Sequence, residues 1–403
     1  MDIIIILLYV FSFLVIWQFV GYPTLMGIIA LKTKPKDKDY SYQPFVSIIV
    51  PTYNEEKVIE KRIKNLYELD YPKDKYEIIV VDSSSDKTAE IVERIIEANK
   101  TSLPSLKLIR EEERKGKASA INLGKKYAKG DIILVTDANS IFDKNVLKEM
   151  MPHFKDPKVG AVGGRYVVLN PDYPLTASTQ FYWDIEYIMR MGEAALDSAC
   201  LFHGEINAWR KEIVEADPAM ISEDLDMAIQ IRKKGYKIVY EPNAVVYEPA
   251  PITVEDLIRQ RKRTSIGTIL CMFKHWKYFL FPRDLYSLLI FPSHKGLTML
   301  SPFIISVIPL LYFFIGNVFV VMTHLILTSL IFCIFLSVLF YLRRKLLATS
   351  NNRSKGSFIS SIPRLIYYVL LNEYIILLAW KDFILGRYSV LWEKVKSTRE
   401  FDI

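Results

Sequence analysis

Two long apolar stretches, one on each side of a charged middle segment, restrict most strongly what this chain can fold into. Residues 3–31 contain no Asp, Glu, Lys, Arg or His, and residues 296–342 contain only His324 among these types. A helix needs about 20 apolar residues to cross the hydrocarbon core of a bilayer. The first stretch is therefore long enough for one span and the second for two, which predicts a soluble domain held between membrane helices.

The N-terminal stretch predicts a retained transmembrane helix over residues 1–31. The alternative is a cleaved signal peptide, which begins with a basic segment and ends at a small-residue cleavage site. The chain instead begins Met-Asp, and no such site follows the apolar run. Gly21 and Pro23 are expected to divide the helix into a spanning part and an interfacial part.

The C-terminal region predicts two spans in residues 296–342, joined by a turn near Gly316, and a third membrane helix in residues 358–385. This third helix carries Arg364 and Glu373. Because ionisable groups at membrane depth normally face protein or water, the helix is expected either to pack inside the bundle or to lie partly in the interface.

Basic residues beside the predicted spans indicate the orientation, because Lys and Arg concentrate on the cytosolic side. They occur in residues 32–38 and 343–345, which predicts a cytosolic location for residues 40–295. The tail, residues 386–403, is also basic, yet one span plus three would place it outside. The side of the tail is therefore left open.

The net charge of +7 does not predict a nucleic-acid partner. A basic surface facing anionic lipid head groups explains the charge, and no nucleic-acid-binding module is recognisable. Cys200, Cys271 and Cys333 lack metal-ligand spacing and are expected to be packing residues in a reducing compartment.

The segment 45–136 alternates short apolar runs with amphipathic stretches. We predict strands at residues 46–50, 76–81, 106–109 and 131–136, and helices at 55–69, 87–98 and 117–128. This alternation implies right-handed crossovers and a parallel sheet, whose ligands bind beyond the carboxyl ends of the strands.

Polar residues follow three of these strands. The sequences PTYNE, DSSSD and DAN begin at Pro51, Asp82 and Asp137. A single Asp at a strand end is usually a turn or cap residue. Three polar strand ends meeting at one sheet edge instead predict a site for a nucleotide and a metal ion.

The order of the motifs resembles that of family 2 glycosyltransferases with a GT-A fold. The resemblance is strongest to the membrane-integrated branch, which includes cellulose, hyaluronan and poly-N-acetylglucosamine synthases and ceramide glucosyltransferases. The matching segments, from Val46 to Gly267, are VSIIVPTYNEE, IIVVDSSSDKT, RKGKASAINLG, ILVTDANS, GAVGGRY, FHGEINAWRKEIV, SEDLDMAIQIRKKGYKIVYEPNAVVYEPAP and RQRKRTSIG. The resemblance implies an α/β, Rossmann-like GT-A domain over residues 40–250, followed by amphipathic interfacial helices over residues 251–295.

The resemblance also implies metal-dependent transfer from a nucleotide sugar, because a divalent cation neutralises the departing diphosphate. The D-x-D motif of the family corresponds to Asp137-Ala138-Asn139, so Asp137 and Asn139 are the candidate ligands for Mg²⁺ or Mn²⁺. Asn139 offers an amide oxygen but no charge. A catalytically inactive scaffold is therefore kept as an alternative.

Nine residues are expected around the nucleotide sugar: Pro51, Thr52, Glu55, Asp82, Lys115, Lys117, Asp137, Gln260 and Arg263. A carboxylate at Asp82 suits the imide N–H of uracil, which favours a UDP-sugar. Gln260 and Arg263 match the Q-x-x-R-W signature of the family, with Thr264 in place of its Trp. Arg263 is expected to face the diphosphate, although a basic stripe on anionic lipid is the alternative.

The T-E-D motif of the family corresponds to Ser222-Glu223-Asp224. Asp224 is the candidate base of an inverting transfer, with Glu223 as a further catalytic candidate. Asp226 is expected to point elsewhere. The alternative is that this segment only caps a helix through Ser222.

Residues His203, Gly204 and Glu205 are expected to contact the acceptor, and Trp183, Glu186 and Trp209 to line the same groove or belong to the core. The predicted acceptor is a growing polysaccharide. A lipid or lipid-linked acceptor is the alternative, because Thr264 stands where the resembled synthases have a Trp that stacks near the acceptor sugar. A transporter with a regulatory nucleotide domain is disfavoured, since few polar residues interrupt the membrane helices. The oligomeric state is left open.

Overall fold

The computed structural model describes residues 2–34, 37–99, 104–171, 173–347, 358–391 and 398. The chain divides into two compact units. The helical unit comprises Met1–Lys34, Asp184–Cys200 and Trp276–Leu385, and the α/β unit comprises Pro35–Trp183, Leu201–His275 and Gly386–Ile403.

The strands within these ranges are β1 Val46–Thr52, β2 Tyr76–Asp82, β3 Ser105–Arg110, β4 Ile132–Val135, β5 Ile141–Phe142, β6 Val159–Val168, β7 Asn207–Arg210 and β8 Lys237–Glu248. The α-helices are α1 Asp2–Ile16, α2 Tyr22–Lys32, α3 Ile59–Tyr67, α4 Thr88–Ala98, α5 Lys117–Tyr127, α6 Val146–Met150, α7 Pro174–Leu196, α8 Glu223–Lys233, α9 Val254–Lys274, α10 Trp276–Leu280, α11 Leu297–Ile315, α12 Val318–Leu347 and α13 Phe358–Ile384.

The predicted parallel sheet is confirmed. Strands β3, β2, β1 and β4 lie side by side in that order and run parallel, with Ile48 in register with Ile78 and Leu134. Most of the side chains of β1, β2 and β4 are buried. Helices cover both faces of such a sheet, so its strands are apolar runs rich in Val and Ile instead of alternating ones.

The sheet continues beyond β4 with strands that we did not predict from the sequence, in the order β7, β6, β8 and β5. Strand β7 runs antiparallel to both β4 and β6, while β8 is parallel to β6. Gly164 allows the close packing here, because a Cβ would lie 2.5 Å from the carbonyl oxygen of Ala244. The end of β8 thereby reaches the edge where β1, β2 and β4 also end.

The first predicted span is one helical stretch, Asp2–Lys32, in which the π-helical residues Trp17–Gly21 join α1 to α2. The widened turn lies just before Pro23, whose ring cannot donate a backbone hydrogen bond. The expected break is therefore a local distortion that does not end the helix.

Three stretches of the described residues are long and apolar enough to cross a membrane: Asp2–Lys32, Tyr286–Ile315 and Val318–Leu347. The second begins earlier than the predicted residue 296, because the π-helical residues before it continue into α11. The predicted interfacial segment 251–295 thus includes the start of a span. Gly316, with a φ of 62°, ends α11 at the predicted turn.

Helix α13 forms where the third C-terminal helix was predicted, but it is not among these candidate spans. Ser301 donates a hydrogen bond to Glu373 at 2.7 Å, and the indole N–H of Trp380 donates to the carbonyl oxygen of Met299 at 2.8 Å. Helix α13 therefore packs against α11, in agreement with the expectation that its polar groups face protein. Cys333 is exposed on α12, unlike the buried Cys200, so it is not the packing residue that we predicted.

The helical unit contains a buried ionic cluster, formed by Glu186, Arg190, Glu193, His294 and Lys295. The ring nitrogens of His294 lie 2.7 Å from Glu193 and 3.0 Å from Glu186. Arg190 and Lys295 also pair with Glu186, at 2.9 and 3.0 Å. The cluster ties the second half of α7 to the segment that leads into α11.

Candidate active site

Strands β1 and β2 end side by side and place Thr52 against Asp82. Thr52 Oγ1 donates a hydrogen bond to Asp82 Oδ1 at 2.8 Å, and both side chains are buried, whereas Pro51 is half-buried. Asp82 Oδ2 lies 3.1 Å from the guanidinium of Arg110, but it receives no hydrogen bond from the part of the chain that the structure describes. A buried carboxylate oxygen of this kind is a suitable acceptor for the N–H of a nucleobase.

The loop after β1 is held by Asn54, whose backbone has a φ of 56°. Asn54 Oδ1 accepts a hydrogen bond from the N–H of Ser85 at 2.8 Å, and the N–H of Glu55 donates to Thr88 Oγ1 at 2.8 Å. These bonds fasten the loop after β1 to the loop after β2. They also explain why α3 begins at Ile59 and not at the predicted residue 55.

Lys117 joins acidic residues that we had assigned to different roles. Its Nζ lies 2.6 Å from Asp137 Oδ1, 3.5 Å from Glu223 Oε1 and 3.3 Å from the carbonyl oxygen of Gly204. Burial alone would lower the pKa of this ammonium group, but the carboxylates of Asp137, Glu223 and Glu205 raise the pKa well above its ordinary value. Lys117 is therefore a permanent cation at the centre of the site.

Lys115 has a different position. It is exposed, and its neighbour Arg114 stacks over the ring of Tyr53 at 3.7 Å. Gly116, with a φ of 95°, makes the sharp turn between the two lysines. This turn directs Lys117 into the acidic cluster while Lys115 stays at the surface.

Glu205 lies in the same electrostatic environment. Burial, together with the carboxylates of Glu248 and Asp137, raises the pKa of Glu205 well above its ordinary value, and Lys117 opposes this rise. The raised pKa reflects the neighbouring carboxylates of Glu248 and Asp137, whose negative charge favours the binding of a cation here.

Asp137 and Asn139 differ in accessibility. The side chain of Asp137 is 21% exposed, whereas Asn139 is 1% exposed. Asn139 Nδ2 donates a hydrogen bond to Glu248 Oε1 at 2.7 Å, and Ser140 Oγ donates to Glu248 Oε2 at 3.3 Å. Asp137 thus faces the open site, while Asn139 lies beneath it against the end of β8.

The donor atoms at this edge fit a magnesium or manganese ion. Within the described ranges, no group of three or more His, Cys, Asp or Glu side chains is arranged to hold a metal by itself. Mg²⁺ and related cations usually take one or two carboxylates from the protein and the remaining ligands from substrate phosphates and water. The ammonium of Lys117 already stands 2.6 Å from Asp137, so this carboxylate is placed to stabilise a cation.

Helix α8 carries the candidate base. Asp224 Oδ2 would lie 3.9 Å from a Cβ on Gly204, the residue whose carbonyl oxygen Lys117 contacts. Glu223 and Asp224 therefore border the same space as Asp137.

Asp226 points away from this space, as predicted. It is fully buried, and its carboxylate lies 2.8 Å from both His275 Nε2 and Lys274 Nζ. Ser222 precedes α8, but its side chain makes no capping hydrogen bond among the residues that the structure describes. The alternative in which this motif serves only to cap the helix is therefore not supported.

Helix α9 packs directly against the start of α8. A Cβ on Gly267 would lie 2.8 Å from the Cβ of Ser222, so only glycine fits at this contact. Arg263 donates a hydrogen bond to the carbonyl oxygen of Ile221 at 3.3 Å, whereas Thr264 is exposed. The Q-x-x-R segment is thereby held next to the residues that precede Asp224.

Aromatic rings surround His203. The rings of Trp183 and His203 are 4.7 Å apart, and Arg261 lies over the ring of Tyr182 at 4.1 Å. Gln260, beside Arg261, is half-buried. Trp183 therefore remains a candidate for the groove.

Two residues that we considered for this groove do not line it. Trp209 is 1% exposed, because it lies in the interior of the sheet on β7. Glu186 belongs to the buried ionic cluster of the helical unit, where His294 and Lys295 pair with it.

Sequence reasoning missed Arg62, which is fully buried below the site and donates a hydrogen bond to Thr136. Burial lowers the pKa of Arg62 to about 9, while Asp137 and Glu248 oppose this. The sequence could have identified Arg62, because this residue falls on the apolar face of α3 at helical spacing. Glu248 and Arg110 gave no such signal, since their partners are distant in the sequence.

Comparison with known proteins assigns the family. The chain matches the family described as "Glycosyl transferase family group 2" over residues 132–380 and the one described as "Glycosyl transferase family 2" over residues 47–216. The first match covers more than half of the 403 residues. The chain therefore belongs to the family 2 glycosyltransferases.

Two curated relatives carry related names. The poly-beta-1,6-N-acetyl-D-glucosamine synthase of Staphylococcus aureus (strain COL) is 32% identical over 228 residues, which cover 55% of this chain and 54% of that protein. The probable glycosyltransferase YdaM of Bacillus subtilis (strain 168) is 34% identical over 236 residues, which cover 56% and 55%. The chain spans about half the length of the curated relatives it matches.

A solved structure supports the fold. The mannosyltransferase PcManGT from Pyrobaculum calidifontis, in complex with GDP-Man and Mn²⁺, is 24% identical and has a TM-score of 0.67. The similarity covers 96% of this chain and 99% of that one. The predicted GT-A fold is confirmed, and the described residues include three helices able to span a membrane.

Proposed function

We propose that this chain is an inverting hexosyltransferase that moves a sugar from a UDP-sugar to a growing polysaccharide at the cytosolic face of a membrane. The position of Lys117 carries this proposal. One ammonium group contacts both Asp137, on the side expected for the diphosphate, and Glu223, beside the candidate base. This arrangement supports a donor site and an acceptor-activating group within one charged cluster.

The donor is expected to lie along the ends of β1, β2 and β4. Asp82 offers a buried acceptor oxygen that suits the imide N–H of uracil, which supports UDP as the carrier. Asp137, with Asn139 beneath it, would hold a Mg²⁺ or Mn²⁺ ion, which neutralises the diphosphate when bound. Lys117 and Arg263 add fixed positive charge for the departing phosphates.

The transfer itself requires one proton acceptor. The acceptor hydroxyl attacks the anomeric carbon from the face opposite the diphosphate, so a new C–O bond forms as the bond to the phosphate oxygen breaks. Asp224 takes the hydroxyl proton, and the electron pair of the broken bond leaves with the diphosphate. Attack from the opposite face inverts the anomeric configuration.

The polysaccharide acceptor is supported by the name of the Staphylococcus aureus relative, a polymer synthase. A second candidate is a single transfer to a lipid or lipid-linked acceptor. The observation that favours it is Thr264, an exposed position where the resembled synthases have a stacking Trp. We propose an integral protein of the cell membrane with its α/β unit in the cytosol, because basic residues lie at the C-terminal ends of the first and third candidate spans.

The experiment is a transfer assay with detergent-purified protein. The protein is incubated with a panel of UDP-sugars and GDP-sugars plus Mn²⁺ or Mg²⁺, and lipid-soluble product is separated from polymer. The expected result is polymer from one UDP-sugar and none in the presence of a chelator. A lipid-soluble product alone would favour the second candidate, and the absence of transfer from every donor would contradict the proposal.

A further inference from the structure

Glu248, the last residue of β8, lies at the D-x-N segment although 109 residues separate it from Asn139. Its Oε1 accepts a hydrogen bond from Asn139 Nδ2 at 2.7 Å, and its Oε2 accepts one from Ser140 Oγ at 3.3 Å. Both carboxylate oxygens therefore contact the loop that follows β4.

We propose that Glu248 is a positioning residue of the cation site, which together with Asn139 replaces the second aspartate of the D-x-D motif. This inference rests on the proposed function, because it concerns the metal ion bound with the nucleotide sugar. Glu248 fixes the orientation of the Asn139 amide. It also supplies, at this edge of the sheet, the negative charge that Asn139 lacks.

The hydrogen bond determines which end of the Asn139 side chain can serve a cation. An amide has one oxygen acceptor and one NH₂ donor, and only the oxygen can stabilise a metal ion. Because Nδ2 is held by Glu248, Oδ1 must occupy the opposite end of the group. Asn139 is 1% exposed, so its side chain has little room to turn over.

Asn139 and Glu248 together carry one negative charge, the same as the second aspartate of a D-x-D motif. Glu248 is 7% exposed and Ser140 is fully buried, so water screens this carboxylate only weakly. A hydrogen bond from the amide to a carboxylate also polarises the amide and makes its oxygen a better acceptor. Partners behind a metal ligand commonly contribute about 10–100-fold to metal affinity.

The test measures Mn²⁺ affinity by electron paramagnetic resonance in the presence of UDP, and UDP affinity by calorimetry with Mn²⁺ or with a chelator. Glu248→Gln should weaken Mn²⁺ binding about 10–100-fold and leave the UDP affinity in chelator unchanged. The double variant Asn139→Asp with Glu248→Gln restores the charge and reverses the direction of the hydrogen bond. It should regain Mn²⁺ affinity to within about threefold of the wild type.

Glu215→Gln is the matched control, because that side chain is 77% exposed and pairs only loosely with Lys125, at 3.5 Å. Mn²⁺ binding by Glu248→Gln within twofold of the wild type would overturn the inference, as would a double variant that binds no better than Glu248→Gln. An equal loss of UDP affinity with and without Mn²⁺ would show a purely structural role and overturn it too. A wild-type protein whose UDP affinity is the same in Mn²⁺ and chelator would instead refute the metal-dependent function, and this inference with it.

Discussion

A single side chain, Lys117, contacts both the candidate metal ligand Asp137 and Glu223, the neighbour of the candidate base. Its ammonium group pairs with Asp137 and with Glu223, and Gly204 offers it a carbonyl oxygen. Buried charges are tolerated only when they are paired in this way. The same pairing fixes Lys117 close to Asp224, so the position of the candidate base is linked to that of the candidate metal ligand Asp137.

Replacing Asp224 by Asn should lower turnover by about two to four orders of magnitude while UDP binds almost normally. The amide keeps the size of the side chain but cannot accept the proton of the acceptor hydroxyl. Initial rates and calorimetric UDP affinity are the measurements. Asp217→Asn is the control, since that carboxylate is 34% exposed and pairs with Lys274. Activity within threefold of the wild type would remove Asp224 from the mechanism.

Glu205 predicts a pH dependence of stability. Its pKa in the folded protein is raised well above the ordinary 4.5, so the folded state holds a proton that the unfolded state releases. The stabilisation by this proton is complete below pH 4.5 and is lost as the pH rises through the folded-state pKa. Glu205→Gln, which is always neutral, should therefore melt at a higher temperature than the wild type at pH 8 but not at pH 4.5.

Thermal unfolding in detergent between those two pH values measures this difference, and the melting temperature of Glu205→Gln should rise above that of the wild type as the pH increases from 4.5 to 8. Glu215→Gln, at a 77% exposed site, should show no such gap. A constant difference across the pH range would mean that Glu205 does not titrate abnormally.

At the scale of elements, the packing of α9 on α8 determines the position of the candidate base, Asp224. The contact between Gly267 and Ser222 leaves no room for a side chain, and Ser222 immediately precedes the turn that carries Asp224. The position of the Q-x-x-R helix and the position of the candidate base are therefore coupled through one glycine.

Gly267→Ala should reduce activity about tenfold or more, because the new Cβ would lie 2.8 Å from the Cβ of Ser222 and displace α9 or α8. Alanine favours a helix over glycine by about 1 kcal/mol, so a loss would not reflect weaker helix formation. The rate and the melting temperature are measured together. Gly296→Ala is the control, since its Cβ would meet nothing nearer than 3.7 Å. Activity within twofold of the wild type would contradict the coupling.

The parallel half of the sheet could be predicted because its evidence is local. Apolar runs, helical periodicity and polar strand ends are visible within windows of ten residues, and strands β1, β2 and β4 formed where they were expected. The contacts of Glu248 with Asn139 and of Arg110 with Asp82 depend on strand order, which no local pattern specifies. The start of α3 was placed too early, because the bonds of Asn54 and Glu55 to the loop after β2 are also non-local.

At the scale of the whole molecule, the number of membrane crossings determines on which side of the membrane the C-terminal tail lies. The candidate spans Tyr286–Ile315 and Val318–Leu347 follow each other directly along the chain and together would make two crossings. Residues 386–391 belong to the α/β unit again, and the carbonyl oxygen of Val390 would lie 3.5 Å from a Cβ on Gly116. A third crossing by α13 would place these residues on the opposite side.

We therefore expect the C-terminus to lie on the same side of the membrane as the α/β unit, with α13 not crossing. Fusions of green fluorescent protein and alkaline phosphatase report the side. A phosphatase fused at the C-terminus should be inactive and the fluorescent protein bright, whereas phosphatase fused after Asn317 should be active. An active phosphatase at the C-terminus would mean that α13 spans the membrane.

The buried ionic cluster also affects the order in which the protein can be assembled during synthesis. Glu186 and Glu193 leave the ribosome 108 and 101 residues before His294. Until then Arg190 pairs with Glu186, whereas Glu193 receives hydrogen bonds only from the neutral Tyr22 hydroxyl and the Cys200 N–H among the described contacts. A buried carboxylate without a cationic partner costs about 3–5 kcal/mol, so we expect the second half of α7 to stay in contact with water during this interval. A nascent chain that stops before residue 294 would keep this helix undocked and open to the proteases that survey unfinished membrane proteins.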